Sequence, residues 1–253
     1  MKIGFIGTGV MGASMAGHLL EAGHELHLFT RTRAKAEDLL HRGALWADGP
    51  EILAAGCEVI FTMVGYPTDV ESIYFGPGGL LQTLRPGTLL VDLTTSRPKL
   101  AQRISQKAAD GGGMALDAPV SGGDRGAREA TLSIMAGGRQ EAFDAALPLL
   151  KTMGARIVLQ GPAGSGQHCK MCNQIAIASN MLGVCEALAY ARRAGLDAQT
   201  VLSSISGGAA GSWSLNNLAP RILAGDFAPG FYVKHFIKDM RIAIESAEEM
   251  NLD

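Results

Sequence analysis

Short apolar runs alternate with amphipathic stretches of helical length from residue 1 to about residue 160. This rhythm is typical of βαβ units, in which helices join the strands of a parallel sheet. Most of the runs are uniformly apolar, as strands covered on both faces must be. The predicted strands are Lys2–Ile6, Glu25–Thr30, Val59–Val64, Thr88–Leu93, Met114–Ala118, Leu132–Ala136 and Arg156–Leu159, and the predicted helices between them are Met11–Ala22, Arg33–Arg42, Lys99–Ala109 and Gln140–Met153. An α/β fold with a mostly parallel sheet follows.

The pattern changes after Gly161-Pro162-Ala163-Gly164, where strand-like runs stop and helical periodicity continues from about Gly166 to Arg193. At 1.5 Å per residue such a helix spans roughly 40 Å, enough to form the spine of an all-α domain. Shorter helices are predicted at Ala198–Ile205, Ser214–Leu223 and Lys234–Met250. We therefore predict a first domain over residues 1–163 and an all-α second domain over residues 164–253, for substrate binding and oligomerisation.

Charge and composition exclude several function classes. The 253 residues carry 22 Lys plus Arg against 24 Asp plus Glu, and 47% are hydrophobic. This balance argues against a disordered chain and against partners such as nucleic acids or an anionic membrane surface. Four unevenly spaced cysteines predict reduced thiols and a cytoplasmic location. Glycines interrupt the apolar N-terminus, which argues against a signal peptide. Chemistry on a small molecule is the expectation that remains.

A glycine-rich turn indicates the cofactor. Gly7-Thr8-Gly9-Val10-Met11-Gly12 follows the first predicted strand and opens the first predicted helix. In such a turn the first glycine permits the tight bend, the second lets the backbone approach a pyrophosphate, and the third lets helix pack on strand. The phosphates then lie at the positive end of the helix. The motif predicts a Rossmann-type dinucleotide-binding domain, although a tight turn without a ligand remains an alternative.

The end of the second predicted strand bears on which nicotinamide cofactor binds. An acidic residue there would accept a hydrogen bond from the ribose 2′-hydroxyl of NAD. This chain has Thr30-Arg31-Thr32-Arg33 instead. Guanidinium groups suit a 2′-phosphate, which favours NADP while leaving NAD possible. The alternative is that these arginines are simply solvated at the start of a helix.

Three further segments carry a family resemblance. Asp117-Ala118-Pro119-Val120-Ser121-Gly122-Gly123 leaves a predicted strand, Gly164-Ser165-Gly166-Gln167-His168-Cys169-Lys170-Met171-Cys172-Asn173 opens the long helix, and Lys238-Asp239 lies in the last helix. Together with the glycine-rich turn, they resemble the β-hydroxyacid dehydrogenase family, which includes 3-hydroxyisobutyrate dehydrogenase and tartronate semialdehyde reductase. The likeness extends over essentially the whole chain.

The resemblance implies specific roles. Lys170 would be the catalytic group, and Ser121, Gly122 and Gly123 would bind the substrate carboxylate. Asn173 would contact substrate, but Gln174 stands where many relatives repeat the asparagine, so either side chain could fill that role. The residues implied for the cofactor, beyond the glycine-rich turn and Thr30, Arg31 and Thr32, are Met63, Val64 and Thr95, with Lys238 near the nicotinamide. Relatives form dimers or tetramers and usually continue for several tens of residues past the last helix, so we expect a homo-oligomer and a C-terminal domain that is incomplete here.

Residue chemistry supports the role of Lys170 independently. An ammonium near a carbonyl oxygen can stabilise the negative charge that develops during reduction and supply the proton. In the reverse direction a neutral lysine would act as base. Burial beside Lys238 should lower the pKa of Lys170 toward the working range. The pair Cys169 and Cys172 has no second pair to complete a metal site, so no metal is expected.

These observations predict an NADP-dependent oxidoreductase that interconverts a short 3-hydroxy acid and its semialdehyde. Two alternatives remain open at this stage. One is an oxidative decarboxylase of the 6-phosphogluconate dehydrogenase kind, which shares the architecture. The other is a non-catalytic module that binds the cofactor and assembles oligomers.

Overall fold

A computed structural model describes residues 1–228 and 230–252 of the chain. Its strands form one sheet of order β3-β2-β1-β4-β5-β6-β8-β7, with β9 paired to β8. The strands are β1 (Lys2–Ile6), β2 (Glu25–Phe29), β3 (Leu45–Trp46), β4 (Val59–Thr62), β5 (Leu89–Asp92), β6 (Met114–Asp117), β7 (Val120–Ser121), β8 (Leu132–Gly138) and β9 (Gly154–Leu159).

The sheet is parallel from β3 through β6, and β8 runs antiparallel to both β6 and β7. Strand order reverses at β1, which pairs with β2 on one side and β4 on the other. In open α/β sheets, ligands bind beyond the carboxyl ends of the strands at such a reversal. The loop that follows Ile6 therefore lies where this architecture places a ligand.

Helices connect the strands and continue beyond the sheet. They are α1 (Gly12–Glu21), α2 (Glu37–His41), α3 (Pro50–Gly56), α4 (Pro67–Phe75), α5 (Pro98–Asp110), α6 (Gly123–Arg128), α7 (Gln140–Leu150), α8 (Ser165–Arg193), α9 (Ala198–Ile205), α10 (Trp213–Asn217), α11 (Ala219–Leu223) and α12 (Val233–Glu249). Short 3₁₀ segments occur at Arg33–Ala36 and Leu80–Gln82. Within the described residues, no helix combines the length and the apolar character needed to cross a membrane.

Apolar packing covers both faces of the sheet. Ile3 and Phe5 of β1 belong to one buried cluster, whereas Ile6 of the same strand belongs to a second. Neighbouring side chains of a strand point to opposite faces, so this division shows burial on both sides. The uniformly apolar strands of the sequence are explained by this double coverage.

The chain divides into two compact units, Met1–Met171 with Val233–Asp253, and Cys172–Tyr232. The first contains the sheet, and α8 begins in it. The second contains the rest of α8 with α9 to α11, and its own small core includes Val184, Leu202 and Leu215. The predicted fold class, a mostly parallel Rossmann-type sheet followed by helical structure with one long helix, is confirmed. The predicted boundary between residues 163 and 164 stays a prediction.

Several elements differ from the sequence-based expectation. Three short helices, α3, α4 and α6, were not predicted; they have seven, nine and six residues. The predicted helix 214–223 is two helices that meet at Leu218. Pro220 lacks the amide hydrogen that a continuous helix would need at that point.

Candidate active site

The glycine-rich turn has the geometry that its three glycines predict. Gly7 has a φ of +96°, and its amide donates to the carbonyl oxygen of Phe29 at 2.8 Å. A Cβ at Gly7 would collide with the carbonyl oxygen of Met63, and one at Gly12 would collide with the carbonyl oxygen of Gly7. A Cβ at Gly9 would meet no atom within 4 Å. Gly7 and Gly12 are therefore required by packing, whereas Gly9 faces open space.

Thr8 provides a second indication that this turn holds a ligand. Its side chain is buried, and its Oγ1 has no hydrogen-bond partner within the described part of the chain. A buried hydroxyl without a partner is costly unless something else satisfies it. Val10 is exposed and Met11 immediately precedes α1. Together with the free amide groups that begin any α-helix, this turn fits a dinucleotide pyrophosphate.

The segment after β2 places Arg31 next to an acidic residue that the sequence analysis missed. Thr30, Arg31 and Thr32 leave the strand, and Nη1 of Arg31 lies 3.0 Å from Oδ1 of Asp69. The Arg33 guanidinium lies 4.9 Å from the ring centroid of Trp46. Asp69 belongs to α4, 38 residues further along the chain, so only the fold brings it to this segment.

Met63, Val64 and Thr95 lie just beyond the carboxyl ends of β4 and β5. The amide of Met63 donates to the carbonyl oxygen of Ile6 at 2.8 Å, and the amide of Val64 donates to Oγ1 of Thr94 at 3.0 Å. These bonds fix the strand ends beside the glycine-rich turn. Three of the residues predicted to contact the cofactor are thus brought to the same edge of the sheet as that turn.

Asp92 is buried at the end of β5, beneath this edge. Its Oδ1 accepts from the amide of Thr94 at 3.0 Å. Burial raises the pKa of this carboxyl to about 7, a rise that the nearby Asp117 carboxyl reinforces and that the Thr94 hydrogen bonds oppose. Asp92 therefore anchors the residue that holds Val64.

Asp117, at the end of β6, fixes the start of α8. Its carboxylate accepts from the amide of Gly164 at 2.7 Å and from the amide of Gln167 at 2.9 Å. The Gln167 side chain in turn accepts from the amide of Ser96 and donates to the carbonyl oxygen of Thr94, both at 2.8 Å. Burial raises the pKa of Asp117 to about 6, against the lowering effect of these backbone donors. The first turn of α8 is thereby tied to two strand ends.

Lys170 lies on this anchored part of α8 with only 7% of its surface exposed. Its Nζ donates to the carbonyl oxygen of Val120 at 2.9 Å, within the segment predicted to bind substrate. Burial lowers the pKa of Lys170 to about 8, the Asp239 carboxylate opposes that change, and the positive charge of Lys238 adds to it. The expected effect of burial on this ammonium is present in the structure.

Lys238 and Asp239, on α12, complete the charged cluster. Nζ of Lys238 donates to the carbonyl oxygen of Thr95 at 2.9 Å and lies 3.0 Å from Oδ1 of Asp239. Asp239 is buried. Asp239 had no predicted role of its own, because its nearness to Lys170 depends on how α12 packs against the start of α8, where Ile242 and Ala243 contact Met171.

The predicted substrate-binding segment forms a short strand and a glycine turn. Ser121 ends β7, and Gly122 and Gly123 both have positive φ values, +132° and +64°. A Cβ on Gly123 would meet no atom within 4 Å, so this backbone borders open space. Nε2 of His18, on α1, lies 2.8 Å from the carbonyl oxygen of Ala127 on α6. The helix of the cofactor turn is thus joined to the helix that follows the substrate segment.

Asn173 belongs to the second compact unit, unlike Lys170. Its amide nitrogen donates to Oε1 of Gln174 at 2.7 Å. Its role stays a prediction, as does the choice between it and Gln174. The part of the chain that the structure describes contains no group of three His, Cys, Asp or Glu side chains that could hold a metal ion.

Comparison with known proteins identifies the family. Residues 2–161 match the family model of the NAD binding domain of 6-phosphogluconate dehydrogenase, and residues 164–253 match that of NADP-dependent 3-hydroxyisobutyrate dehydrogenase. The chain belongs to the β-hydroxyacid dehydrogenase family. The resemblance seen in the sequence is therefore confirmed.

Relatives within the β-hydroxyacid dehydrogenase family match nearly the whole chain. The oxidoreductase YkwC of Bacillus subtilis is 59% identical over 98% of this chain and 86% of its own length. The 2-hydroxy-3-oxopropionate reductase of Escherichia coli is 40% identical over 100% of this chain and 86% of its own. The structure of Mycobacterium tuberculosis 3-hydroxyisobutyrate dehydrogenase with L-serine has a TM-score of 0.92 and 31% identity, covering 100% of this chain and 88% of that one.

Proposed function

We propose that this chain is an NADP-dependent oxidoreductase that interconverts a short 3-hydroxy acid and its semialdehyde, with Lys170 as proton donor and acceptor. The observation that carries the proposal is the buried Lys170 ammonium, hydrogen-bonded at 2.9 Å to Val120 beside the glycine turn of the substrate segment. Membership in the β-hydroxyacid dehydrogenase family supports the reaction class.

The cofactor assignment rests on the residues of the glycine-rich turn and the segment after β2. Gly7, Thr8, Gly9, Val10, Met11 and Gly12 would hold the pyrophosphate, and Thr30, Arg31 and Thr32 the adenosine ribose with its 2′-phosphate. The open space at Gly9 and the unsatisfied Thr8 hydroxyl support the first role. The matched family model of an NADP-dependent enzyme supports NADP, and NAD remains a possible second cofactor. When bound, the reduced nicotinamide supplies the hydride.

Lys170 would donate the proton during reduction and accept it during oxidation. With a pKa of about 8, its ammonium is mostly protonated at neutral pH and can donate to the substrate carbonyl oxygen as negative charge develops there. One N–H is already directed at Val120, which orients the amine and leaves two N–H groups for substrate. In the oxidative direction, the deprotonated amine would accept the hydroxyl proton.

Other residues would position substrate and cofactor. We assign Ser121, Gly122 and Gly123 to the substrate carboxylate, because Gly123 borders open space and the preceding Val120 accepts from Lys170. Asn173 would contact substrate from the next turn of α8. Met63, Val64 and Thr95 would line the cofactor site at the strand ends. Lys238 would lie close to the nicotinamide, because its Nζ donates to the carbonyl oxygen of Thr95.

The named relatives favour this reaction over the two alternatives. They include a 2-hydroxy-3-oxopropionate reductase and a 3-hydroxyisobutyrate dehydrogenase, whose names describe hydroxy-acid chemistry. For the cell, we propose a cytoplasmic location, consistent with four free cysteines, and a homo-oligomeric assembly.

The test follows oxidation of NADPH and NADH separately against methylmalonate, succinate, malonate and tartronate semialdehydes and glyoxylate. The proposal predicts turnover of at least one of them with NADPH. In Lys170→Met, kcat should fall about 10³-fold while NADPH binding stays within twofold of wild type. The exposed Lys107→Met is the matched control and should retain full activity.

Two results would contradict the proposal. With a hydroxy acid and NADP⁺, release of one carbon dioxide per NADPH formed, without accumulation of a semialdehyde, would show an oxidative decarboxylase. Cofactor binding without turnover of any substrate in wild type would favour the non-catalytic module.

A further inference from the structure

The ion pair between Arg31 and Asp69 bears directly on cofactor choice. Nη1 of Arg31 lies 3.0 Å from Oδ1 of Asp69, and the arginine side chain is 80% exposed whereas the aspartate is 17% exposed. Oδ2 of Asp69 also accepts from the amide of Tyr66 at 3.1 Å, at the start of α4. The hydrogen bond to Tyr66 thus fixes the Asp69 carboxylate at the start of α4, whereas the Arg31 guanidinium is largely exposed.

We propose that Asp69 is a specificity-determining residue that competes with the 2′-phosphate of NADP for Arg31 and so limits the preference for NADP over NAD. The proposal rests on the proposed function, which places the 2′-phosphate at Arg31. A guanidinium binds a phosphate through the same N–H groups that bind a carboxylate. Arg31 must therefore give up part of its contact with Asp69 when it takes a 2′-phosphate.

The neighbouring cation does not remove this competition. Arg33 lies over the Trp46 ring, so its guanidinium already has a packing partner. NAD carries a hydroxyl at the 2′ position and does not need the charge of Arg31. Asp69 therefore weakens binding of NADP but not of NAD. The preference for NADP is smaller than the two arginines after β2, with no carboxylate beside them in sequence, would indicate.

The size of the effect follows from the exposure of the pair. Ion pairs at the surface contribute little to stability, and the largely exposed Arg31 leaves its pair with Asp69 partly screened by water and salt. We therefore expect removal of the Asp69 charge to tighten binding of 2′-phosphorylated ligands by roughly 3- to 10-fold at low salt.

The test measures binding by calorimetry, without turnover, using adenosine 2′,5′-bisphosphate and AMP as probes alongside NADPH and NADH. Asp69→Asn removes the charge and keeps an oxygen that can accept from Tyr66. The matched control is Glu71→Gln on the same helix, which removes a comparable exposed pair with Arg103 at 2.9 Å. Asp69→Ser, which also retains an acceptor, serves as a second variant if the first folds poorly by circular dichroism.

The proposal predicts that Asp69→Asn tightens binding of NADPH and the bisphosphate by the stated factor and leaves NADH and AMP within twofold. The gain should shrink in 0.5 M salt and disappear in an Arg31→Met background. Glu71→Gln should leave the affinity for all four ligands unchanged. An unchanged ratio of NADPH to NADH affinity in both Asp69 variants, or a gain that persists without Arg31, would overturn it.

These outcomes are separate from a failure of the proposed function. The binding measurement does not depend on turnover. It therefore tests the effect of Asp69 even if the chain binds both cofactors and reduces no semialdehyde. If wild type bound neither adenosine probe, the proposed cofactor site itself would be wrong, and this inference would be overturned with it.

Discussion

Lys170, Asp92 and Asp117 show how burial sets the chemistry of single residues. The fold removes all three from water, which disfavours their charged forms and moves the pKa of the lysine down and of the carboxyls up. For Lys170 the result is an amine that can give and take a proton near neutral pH. For the two aspartates the same burial costs stability, and backbone hydrogen bonds offset only part of it.

Asp92 should make the stability of the protein depend on pH. Its pKa of about 7 in the folded state exceeds the 3.8 of an unperturbed aspartate, so its contribution to stability is present at low pH and is lost as pH rises toward 7. In Asp92→Asn this loss cannot occur. The difference in unfolding free energy between the variant and wild type should therefore grow by about 2–3 kcal/mol from pH 5 to pH 8, in favour of the variant.

Urea denaturation at several pH values provides that measurement. Asp144→Asn, at an exposed site on α7, is the control and should follow wild type throughout. Parallel curves for wild type and Asp92→Asn from pH 5 to pH 8 would show that Asp92 is ionised at low cost in the folded state.

At the scale of elements, the turn between β1 and α1 separates glycines that serve packing from the glycine that serves the ligand. Gly12→Ala would drive a methyl group into the carbonyl oxygen of Gly7, so it should destabilise the fold by several kcal/mol. Gly9→Ala meets no neighbour within 4 Å, so its thermal midpoint should stay within a few degrees of wild type. Its added methyl would instead occupy the space of the pyrophosphate.

Thermal melting and NADPH titration of the two variants check this distinction. Gly9→Ala should bind NADPH at least 10-fold more weakly while remaining folded. NADPH binding of wild-type strength in Gly9→Ala would contradict the role of Gly9 in ligand binding. A wild-type melting temperature in Gly12→Ala would contradict the role of Gly12 in packing.

The sequence predicted elements whose pattern is long and regular. The bounds of β1 are those predicted, and the long helix differs by one residue at its start, because buried strands and extended helices leave clear apolar periods. The eight-residue α9 was also predicted with its exact bounds. The two residues of β7 are too few to show any period. The glycine-rich turn and the Lys170 segment were recognisable because their chemistry depends on residues adjacent in sequence.

The contacts that the sequence could not predict are those made by distant residues. Asp69 reaches Arg31 across 38 positions, and Lys238 reaches Thr95 across 143. Such pairs depend on which strand ends lie side by side, a property of the whole sheet. The same holds for the buried network of Asp117 and Gln167 that fixes α8.

At the scale of the whole molecule, the first compact unit brings one end of each functional element to one edge of the sheet. The glycine-rich turn follows β1, Thr95 follows β5, and Asp117 at the end of β6 anchors the helix that carries Lys170. Lys238 of α12 is tied to the same edge through Thr95. The proposed reaction therefore draws on residues from opposite ends of the chain, which only the folded sheet collects.

The most direct test of the account is the pH dependence of kcat/KM for semialdehyde reduction. Because the pKa of Lys170 is lowered to about 8, the fraction of protonated amine falls above that pH. We predict a nearly constant kcat/KM from pH 6 to 7, half of that value near pH 8, and a decline that approaches 10-fold per pH unit above about pH 9. In Lys170→Arg, which stays charged, the remaining activity should show no such decline. A wild-type profile that stays flat through pH 10, or one that Lys170→Arg reproduces, would contradict the assignment of Lys170 as proton donor.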